Sequence, residues 1–547
     1  MSDRSERPWL TSFAPGDPAE LPTDIGGPLD LFDAALATDP DQPLLHYFGT
    51  TLTVGDVHRA SEALAAGLGG LGIGPGGRVV VFLQSCPQFV VTAIAVWKLG
   101  ATLVPANPML RSEELAYVVG DSGATVVVAL ASLWRDVVVR TDLSGAQVVV
   151  TSDAAFVGDA EHPSVIPPDV GAPRGAIDFG SLLSTLPVPL PARPSATDLA
   201  AISYTSGTTG RPKGAMNTHG AMAFNAVAKH RWFGIDERDV LLGVAPLFHI
   251  TGLVAHLTLA LVGPNPLVLP FRFAPDVVID LIERYRPTFS IGAITAYLAM
   301  LGHPDVDCRD LSSLVKVYSG GAPVSAATVD EFRRRVGPTI RNAYGLTEST
   351  AATHLVPRHL PNRVDPTFGA LSIGVPYFNT DVVIAGEDGT PQEPGAIGEL
   401  VVRGPQLADG YWLRPDATAE AFTEQGFRTG DVGFMDADGW FYIVDRSKDM
   451  IIASGYKVWP REVEDVLFGH PAVREAAVVG VPDEYRGETV QAFIVAREGE
   501  PVDPSQVIEF CRQRLAAYKV PRRVTLVAEL PKTASGKVLR RVLRDGP

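Results

Sequence analysis

The sequence predicts an α/β protein with parallel sheets, closed by smaller units of different character. Three observations carry this. Short β-branched runs alternate with helical patterns through most of the first 350 residues, which argues for parallel strands with helices on their faces. From about residue 365, short strands separated by Gly and Asp turns take over, as in DVVIAGEDGTPQEPGAIGELVVRG and GFRTGDVGFMDADGWFYIVD; these suit a small antiparallel or barrel-like unit. After DRSKDM the pattern returns to helix and strand, and the charge changes: residues 446–547 carry a net +3 and the remainder a net −19.

In order along the chain, RVVVFL (78–83) precedes the helix-like PQFVVTAIAVWKLGA, and ATLVPA (101–106) follows. The helix-like RSEELAYVVG then leads to TVVVAL (125–130). Segment 151–198 is rich in Pro, Gly and Asp and is expected to hold loops. DVLLGVAP, the helix-like DVVIDLIERY, TFSIGA and VKVYSGG come next, before the helix-like SAATVDEFRRRVG. In the last unit PREVEDVLFGH and PSQVIEFCRQRLAAY read as helices and QAFIVARE and RRVTLV as strands. The expected boundary divides 1–445 from 446–547.

At 547 residues the chain is too long for one ordinary core. A net charge of −16 disfavours nucleic acid or an anionic membrane as partner. Cys86, Cys308 and Cys511 show no metal or disulfide spacing, and this fits a reducing, cytoplasmic compartment. The start is polar and proline-rich, unlike a signal peptide. The longest apolar run, ITGLVAHLTLALVG, is too short to span a membrane and carries His256.

YTSGTTGRPKG (204–214) bears the densest chemistry. Strand-like AAISY leads into it and HGAMAFNAVAKH follows as a helix. Strand, Gly-rich loop and helix together present backbone N–H groups to phosphate. Ser206, Thr208 and Thr209 add hydroxyls, and Arg211 and Lys213 add charge. The lysine precedes Gly214 rather than Ser or Thr, so this is not a Walker A loop.

With that loop the chain resembles the adenylate-forming superfamily: acyl- and aryl-CoA synthetases, nonribosomal-peptide adenylation domains and beetle luciferase. Further signatures follow in the family's order: PLFHITG (246–252), YSGGAP (318–323), NAYGLTEST (342–350), RTGDVG (428–433), DRSKDMIIASGYKVWPREVE (445–464) and PKTASGKVLRR (531–541). The resemblance implies an N-terminal domain of two α/β subdomains plus a β-barrel, and a small mobile α+β C-terminal domain. It implies activation of a carboxylate by ATP to acyl-AMP with loss of pyrophosphate, then transfer to a thiol, with ATP, Mg²⁺ and coenzyme A as cofactors. Both reacting groups are anionic, so positioning and local cations must supply the catalysis.

The resemblance also assigns residues. Lys537 matches the catalytic lysine, a point charge on a flexible stem that contacts the carboxylate and α-phosphate. Glu348 matches the Mg²⁺ ligand, and Thr347 a hydrogen-bond donor to the α-phosphate. Thr205, Ser206, Gly207, Thr208, Thr209, Gly210 and Lys213 face the phosphates. Tyr344 offers a flat face to adenine, flanked by Asn342, Ala343 and Gly345. Gly320, Gly321 and Ala322 let backbone approach adenine and the acyl chain. Asp431 and Arg446 reach the ribose, Lys448 sits at the hinge, and Gly455 lines the pantetheine tunnel after rotation.

His249, a catalytic candidate near the acyl pocket, stands where amino-acid-activating relatives carry an aspartate, so an acid without an α-amine is expected. Pocket candidates His249, Ile250, Gly292, Thr295, Gly320, Gly345, Leu346 and Ala351 are mostly small or apolar, pointing to a fatty or aromatic acid. Ten residues follow Lys537, leaving no room for a fused carrier domain. CoA is therefore the expected acceptor, with a separate acyl carrier protein the alternative. A homodimer is one assembly the family adopts. A non-catalytic nucleotide sensor is disfavoured because Lys537 and Glu348 are both retained.

Overall fold

The strand Arg78–Phe82 reads Arg-Val-Val-Val-Phe, and every residue after Arg78 is shut off from solvent. A strand covered on both faces needs such a continuous apolar run, and parallel sheets supply that environment. In the computed structural model this strand lies at the centre of a seven-stranded sheet. Residues 7–545 are described, apart from 159–162, 169–172, 174, 206–210, 323, 367–369, 387, 447–448, 454–455, 484–486, 498, 501 and 533–537; for 445, 446, 452, 456, 457, 487 and 545 only the backbone is described.

The seven-stranded sheet runs Ile177–Asp178, Gln147–Thr151, Val126–Leu130, Arg78–Phe82, Thr102–Pro105, Leu199–Thr205 and Lys213–Thr218 in spatial order. All its pairs are parallel except the last. The helix Pro87–Lys98 is buried along its whole length, as befits a helix that is hydrophobic all round.

A second, nine-stranded sheet has a parallel centre. Leu241–Leu242, Phe289–Ala293, Lys316–Gly320 and Ile340–Leu346 lie side by side. Antiparallel Ala351–Leu355 and Val375–Pro376 extend one end. The N-terminal strands Pro43–Tyr47 and Thr50–Thr53 close the other. The chain thus enters this second sheet first, builds the first one, and returns.

The expected change near residue 365 corresponds to a third sheet, antiparallel and five-stranded, made from Asp381–Ala385, Gly398–Arg403, Phe422–Thr423, Gly426–Met435 and Phe441–Arg446. A fourth sheet uses strands from Ile451–Ala453 onward. Its own apolar cluster is built from residues such as Val458, Val463, Leu467, Val478, Ile494 and Val507. The family's α/β architecture, with a small C-terminal unit, is what the chain adopts. After residue 151 the described residues of segment 151–198 hold the short strand Ile177–Asp178 and the helix Phe179–Leu183 and are otherwise turns and irregular backbone.

One expectation is corrected. The phosphate loop does not run directly into a helix. Lys213–Thr218 is a strand, antiparallel to Leu199–Thr205, with Thr205 opposite Lys213. Gly214 permits the pairing, since a Cβ there would lie 2.5 Å from Ile202 Cγ2. The helix His219–Phe233 starts only after Thr218, whose hydroxyl caps the Ala221 N–H at 3.2 Å. The loop is therefore the connection of a hairpin, and the helix follows the second strand.

Candidate active site

The strand Ile340–Leu346 and the turn Thr347–Ser349 that ends it organise the site. At one end the Tyr344 hydroxyl donates to Asp431 Oδ2 at 2.6 Å. Asp431 is nearly buried, and its N–H donates to the Thr429 hydroxyl at 3.1 Å. Strand pairing sets Asp431 directly opposite the backbone of Arg446. The two residues matched to ribose binding are thus brought together by register, beside the residue matched to adenine.

At the other end lies Glu348. The Tyr411 hydroxyl donates to its Oε1 at 2.7 Å, and its backbone carbonyl accepts from the Ala408 N–H at 2.8 Å. The same tyrosine ring carries the Lys213 ammonium at 4.9 Å from its centroid, a cation–π distance. Backbone bonds hold segment 409–412 along the hairpin: Met216 N–H to Gly410 O at 2.9 Å and Trp412 N–H to Gly214 O at 2.8 Å. Tyr117 adds a further clamp, donating to Pro212 O at 2.8 Å while Arg211 lies over its ring.

Just beyond Glu348 the backbone is strained. Thr350 and Ala351 have φ of 49° and 100°, a region that β-branched residues in particular avoid. Two buried amides hold the turn. Asn217 Nδ2 donates to Thr347 O and to the Thr350 hydroxyl, each at 3.0 Å. Asn225 Nδ2 donates to Thr350 O at 2.6 Å and Ser349 O at 3.2 Å. Gly345 is required for close approach, because a Cβ there would lie 1.8 Å from Ala351 O. Gly320 is similarly tight against Ala343 O.

His249 caps the short helix Ile250–Gly252: its Nδ1 accepts from the Thr251 N–H at 3.2 Å. That bond puts the proton on Nε2 of the neutral ring. Burial pushes the imidazole down to about 4, so it is neutral near pH 7 and presents a donor rather than a charge. Asn342 turns its amide into the fold, donating to Ser372 O at 3.1 Å. Of the remaining sequence-predicted residues, 206–210, Lys448, Gly455, Lys537 and the Arg446 side chain lie outside the described residues.

Tyr411, Asn217 and Asn225 were missed by sequence reasoning. Tyr411 lies 63 residues from Glu348, in a stretch whose only local signal is Gly410 before it. Asn217 sits in a stretch with little strand signal, and Asn225 in one that reads as an ordinary helix.

The comparisons with known proteins identify the family. Residues 32–412 match the profile of the AMP-binding enzyme family, and residues 462–537 match the AMP-binding enzyme C-terminal domain. This chain belongs to the adenylate-forming enzymes. Among its adenylate-forming relatives is a long-chain-fatty-acid–CoA ligase of Bacillus subtilis (strain 168), 35% identical over 99% of this chain and 98% of the relative. A feruloyl-CoA synthase of Amycolatopsis sp is 36% identical over 92% of this chain and 96% of that one. Among solved structures, the anthranilate CoA ligase AuaEII in complex with anthranoyl-AMP superposes with a TM-score of 0.85 at 27% identity, covering 96% of this chain and 98% of that one.

The site is consistent with a single magnesium ion. Among the described residues no group of three or more His, Cys, Asp or Glu could hold a metal. Magnesium bound through one carboxylate plus phosphate oxygens needs no such group. Tyr411 takes Oε1, and no hydrogen bond among the described residues takes up the other Glu348 oxygen, which would be the one to hold the ion.

Proposed function

We propose that this protein is an ATP-dependent acyl-CoA synthetase that joins a fatty or aromatic acid to CoA through an acyl-AMP intermediate. The chain is a carboxylate–CoA ligase of the AMP-forming kind and uses ATP and CoA. One observation carries the site assignment. Tyr344, on the strand Ile340–Leu346, and Glu348, in the turn that ends it, connect Asp431 at one end to Tyr411 and Lys213 at the other. That arrangement suits a nucleoside triphosphate with its base by Tyr344 and its phosphates by Lys213.

The chain's own residues then divide the work. Asp431 accepts the ribose hydroxyls. Lys213 and the hydroxyls of Thr205 and the following loop bind the outer phosphates. Thr347 donates to the α-phosphate. A magnesium ion on Glu348 would neutralise phosphate charge during displacement. The acid's carboxylate attacks the α-phosphorus, its oxygen–phosphorus bond forms, and pyrophosphate leaves. Lys537 stabilises the charge on the two reacting anions. His249, neutral and oriented by its cap bond, borders the acyl chain.

The division at 445/446 belongs to this reading. The last sheet has an apolar cluster of its own, which supports a C-terminal domain turning about Lys448 to bring Gly455 to the thiol in the second step. ATP–pyrophosphate exchange over straight-chain acids of graded length, beside benzoate- and cinnamate-type acids, tests the first step. Chromatography of acyl-CoA with and without CoA tests the second. Failure of every acid to support exchange overturns the proposal.

A further inference from the structure

The helix His219–Phe233 carries Asn225, Lys229 and Phe233 at four-residue intervals, on one face. Asn225 braces the strained turn after Glu348 through Thr350 O. Phe233, at the other end, packs against Phe289 and Tyr318 at 4.8 and 4.5 Å between ring centroids. Lys229 lies between them with no exposed surface. This helix packs on the segment Leu253–Thr258, and the adjoining Ile250–Gly252 packs on the strand Ala351–Leu355. The helix that bears Lys229 therefore backs the elements carrying His249, Ile250 and Ala351, the side of the site left to the acyl group.

Its environment is unusual. Among the described residues the Lys229 Nζ has no hydrogen-bond partner, and it lies 5.8 Å from the centroid of the Tyr377 ring. The Tyr377 hydroxyl, on a side chain only 1% exposed, has no partner among them either, and neither has the Asn225 Oδ1. Tyr377 is tied to the same strand by its N–H, which donates to Thr353 O at 3.3 Å. Buried lysines are almost always paired, and each unpaired polar group here costs stability. Such a cluster in an apolar wall is the signature of a site that a polar ligand atom completes.

Resting on the acyl-CoA synthetase reading, we propose that Lys229 and Tyr377 recognise a hydroxyl at the end of the acyl group remote from its carboxyl, so that the preferred acid is hydroxylated there. Burial pushes the Lys229 ammonium well below its ordinary range, which favours the neutral amine. A neutral amine accepts from or donates to a hydroxyl without burying charge. A terminal carboxylate would instead require an ion pair to be desolvated on both sides. The aromatic company of Phe233, Tyr318 and Tyr377 suits a phenol in particular.

Matched acids test this: para-hydroxycinnamate against cinnamate, and ω-hydroxyhexadecanoate against hexadecanoate, in pyrophosphate exchange. The expected result is that wild type prefers the hydroxylated partner of at least one pair by about tenfold or more in kcat/KM. Lys229→Met and Tyr377→Phe should each reduce that preference while keeping exchange with the bare acid. Equal rates for both partners of both pairs in wild type overturn the proposal, and need no variant to fold. So does a preference that both variants leave unchanged. Calorimetric binding of the same acids keeps the two readings apart. Selective binding without exchange counts against the catalytic reading alone, and equal binding counts against the role of Lys229.

Discussion

Tyr411 donates its phenolic proton to Glu348 Oε1 at 2.7 Å while Lys213 rests on the face of the same ring. One side chain thus links the phosphate hairpin to the carboxylate assigned to magnesium. The bond commits one oxygen of the carboxylate, and the metal assignment falls to the other. It also holds a cation near the position assigned to the outer phosphates. Burial and the nearby Glu348 carboxylate push the Tyr411 phenol well above its ordinary range, so it is a donor at all working pH values.

Removing that donor should loosen the metal site without touching the acyl side. A hydrogen bond to a charged group contributes about 1.5–3 kcal/mol. Tyr411→Phe is expected to raise the Mg²⁺ concentration for half-maximal exchange by about tenfold or more, with KM for the acid little changed. Mn²⁺ binding in the presence of ATP, read by electron paramagnetic resonance, should weaken in parallel. An unchanged metal requirement would show that the bond is only structural.

Tyr344 and Asp431 make the corresponding pair at the adenosine end. Tyr344→Phe keeps the ring and removes the donor to the carboxylate. KM for ATP should rise severalfold, because Asp431 loses one of the bonds that orient it. The KM for the acid should stay within about twofold. A change confined to the acid would contradict the assignment.

Lys537 is assigned to the first half-reaction by its motif. Lys537→Ala should suppress adenylation by about a hundredfold or more and spare thioester formation from supplied acyl-AMP. Equal losses in both half-reactions would refute the role.

The hinge assigned to Lys448 makes a complementary claim. Lys448→Pro fixes φ at a residue that must change conformation. Adenylation should survive and CoA transfer should slow. A second step as fast as in wild type would count against domain rotation.

Stability should fall in mild acid. Burial pushes His219 and His256 down to about 4 and His354 to about 3, and all three are essentially unexposed. Their folded values are depressed, so the unfolded chain binds protons that the native state refuses. Their contribution is complete above the unfolded value of about 6.5 and is lost as pH falls towards 4, at up to about 1.4 kcal/mol per pH unit for each group. Urea denaturation at about pH 7.5 and about pH 5.5 should show the difference, and His256→Gln should shrink it. A flat profile would mean that these rings are reached by solvent.

The parallel strands were legible because burial on both faces demands continuous apolar runs, as in Arg78–Phe82 and Val126–Leu130. The change of sheet type near residue 365 was legible from its turn residues. Less of the site was. Lys213–Thr218 passed unnoticed as a strand because six residues with glycine and lysine at the head carry little β signal, and only the pairing with Leu199–Thr205 makes them one. Lys229 lies unremarked in the helix-like HGAMAFNAVAKH, since nothing local reveals that both sides of its helix are covered.

Motif order by itself determined the family, and with it which residues are assigned the phosphate, metal and acyl-transfer roles and in what order along the chain. Tertiary structure alone decided which side chains stand beside them. Tyr411 meets Glu348, Asp431 meets Tyr344, and Asn225 meets Thr350 across separations of 63, 87 and 125 residues. The physical reason is that a motif records the chemistry one segment must perform, whereas a hydrogen-bond partner is chosen by strand register and close packing between segments, and these have no period or spacing that a single chain can display.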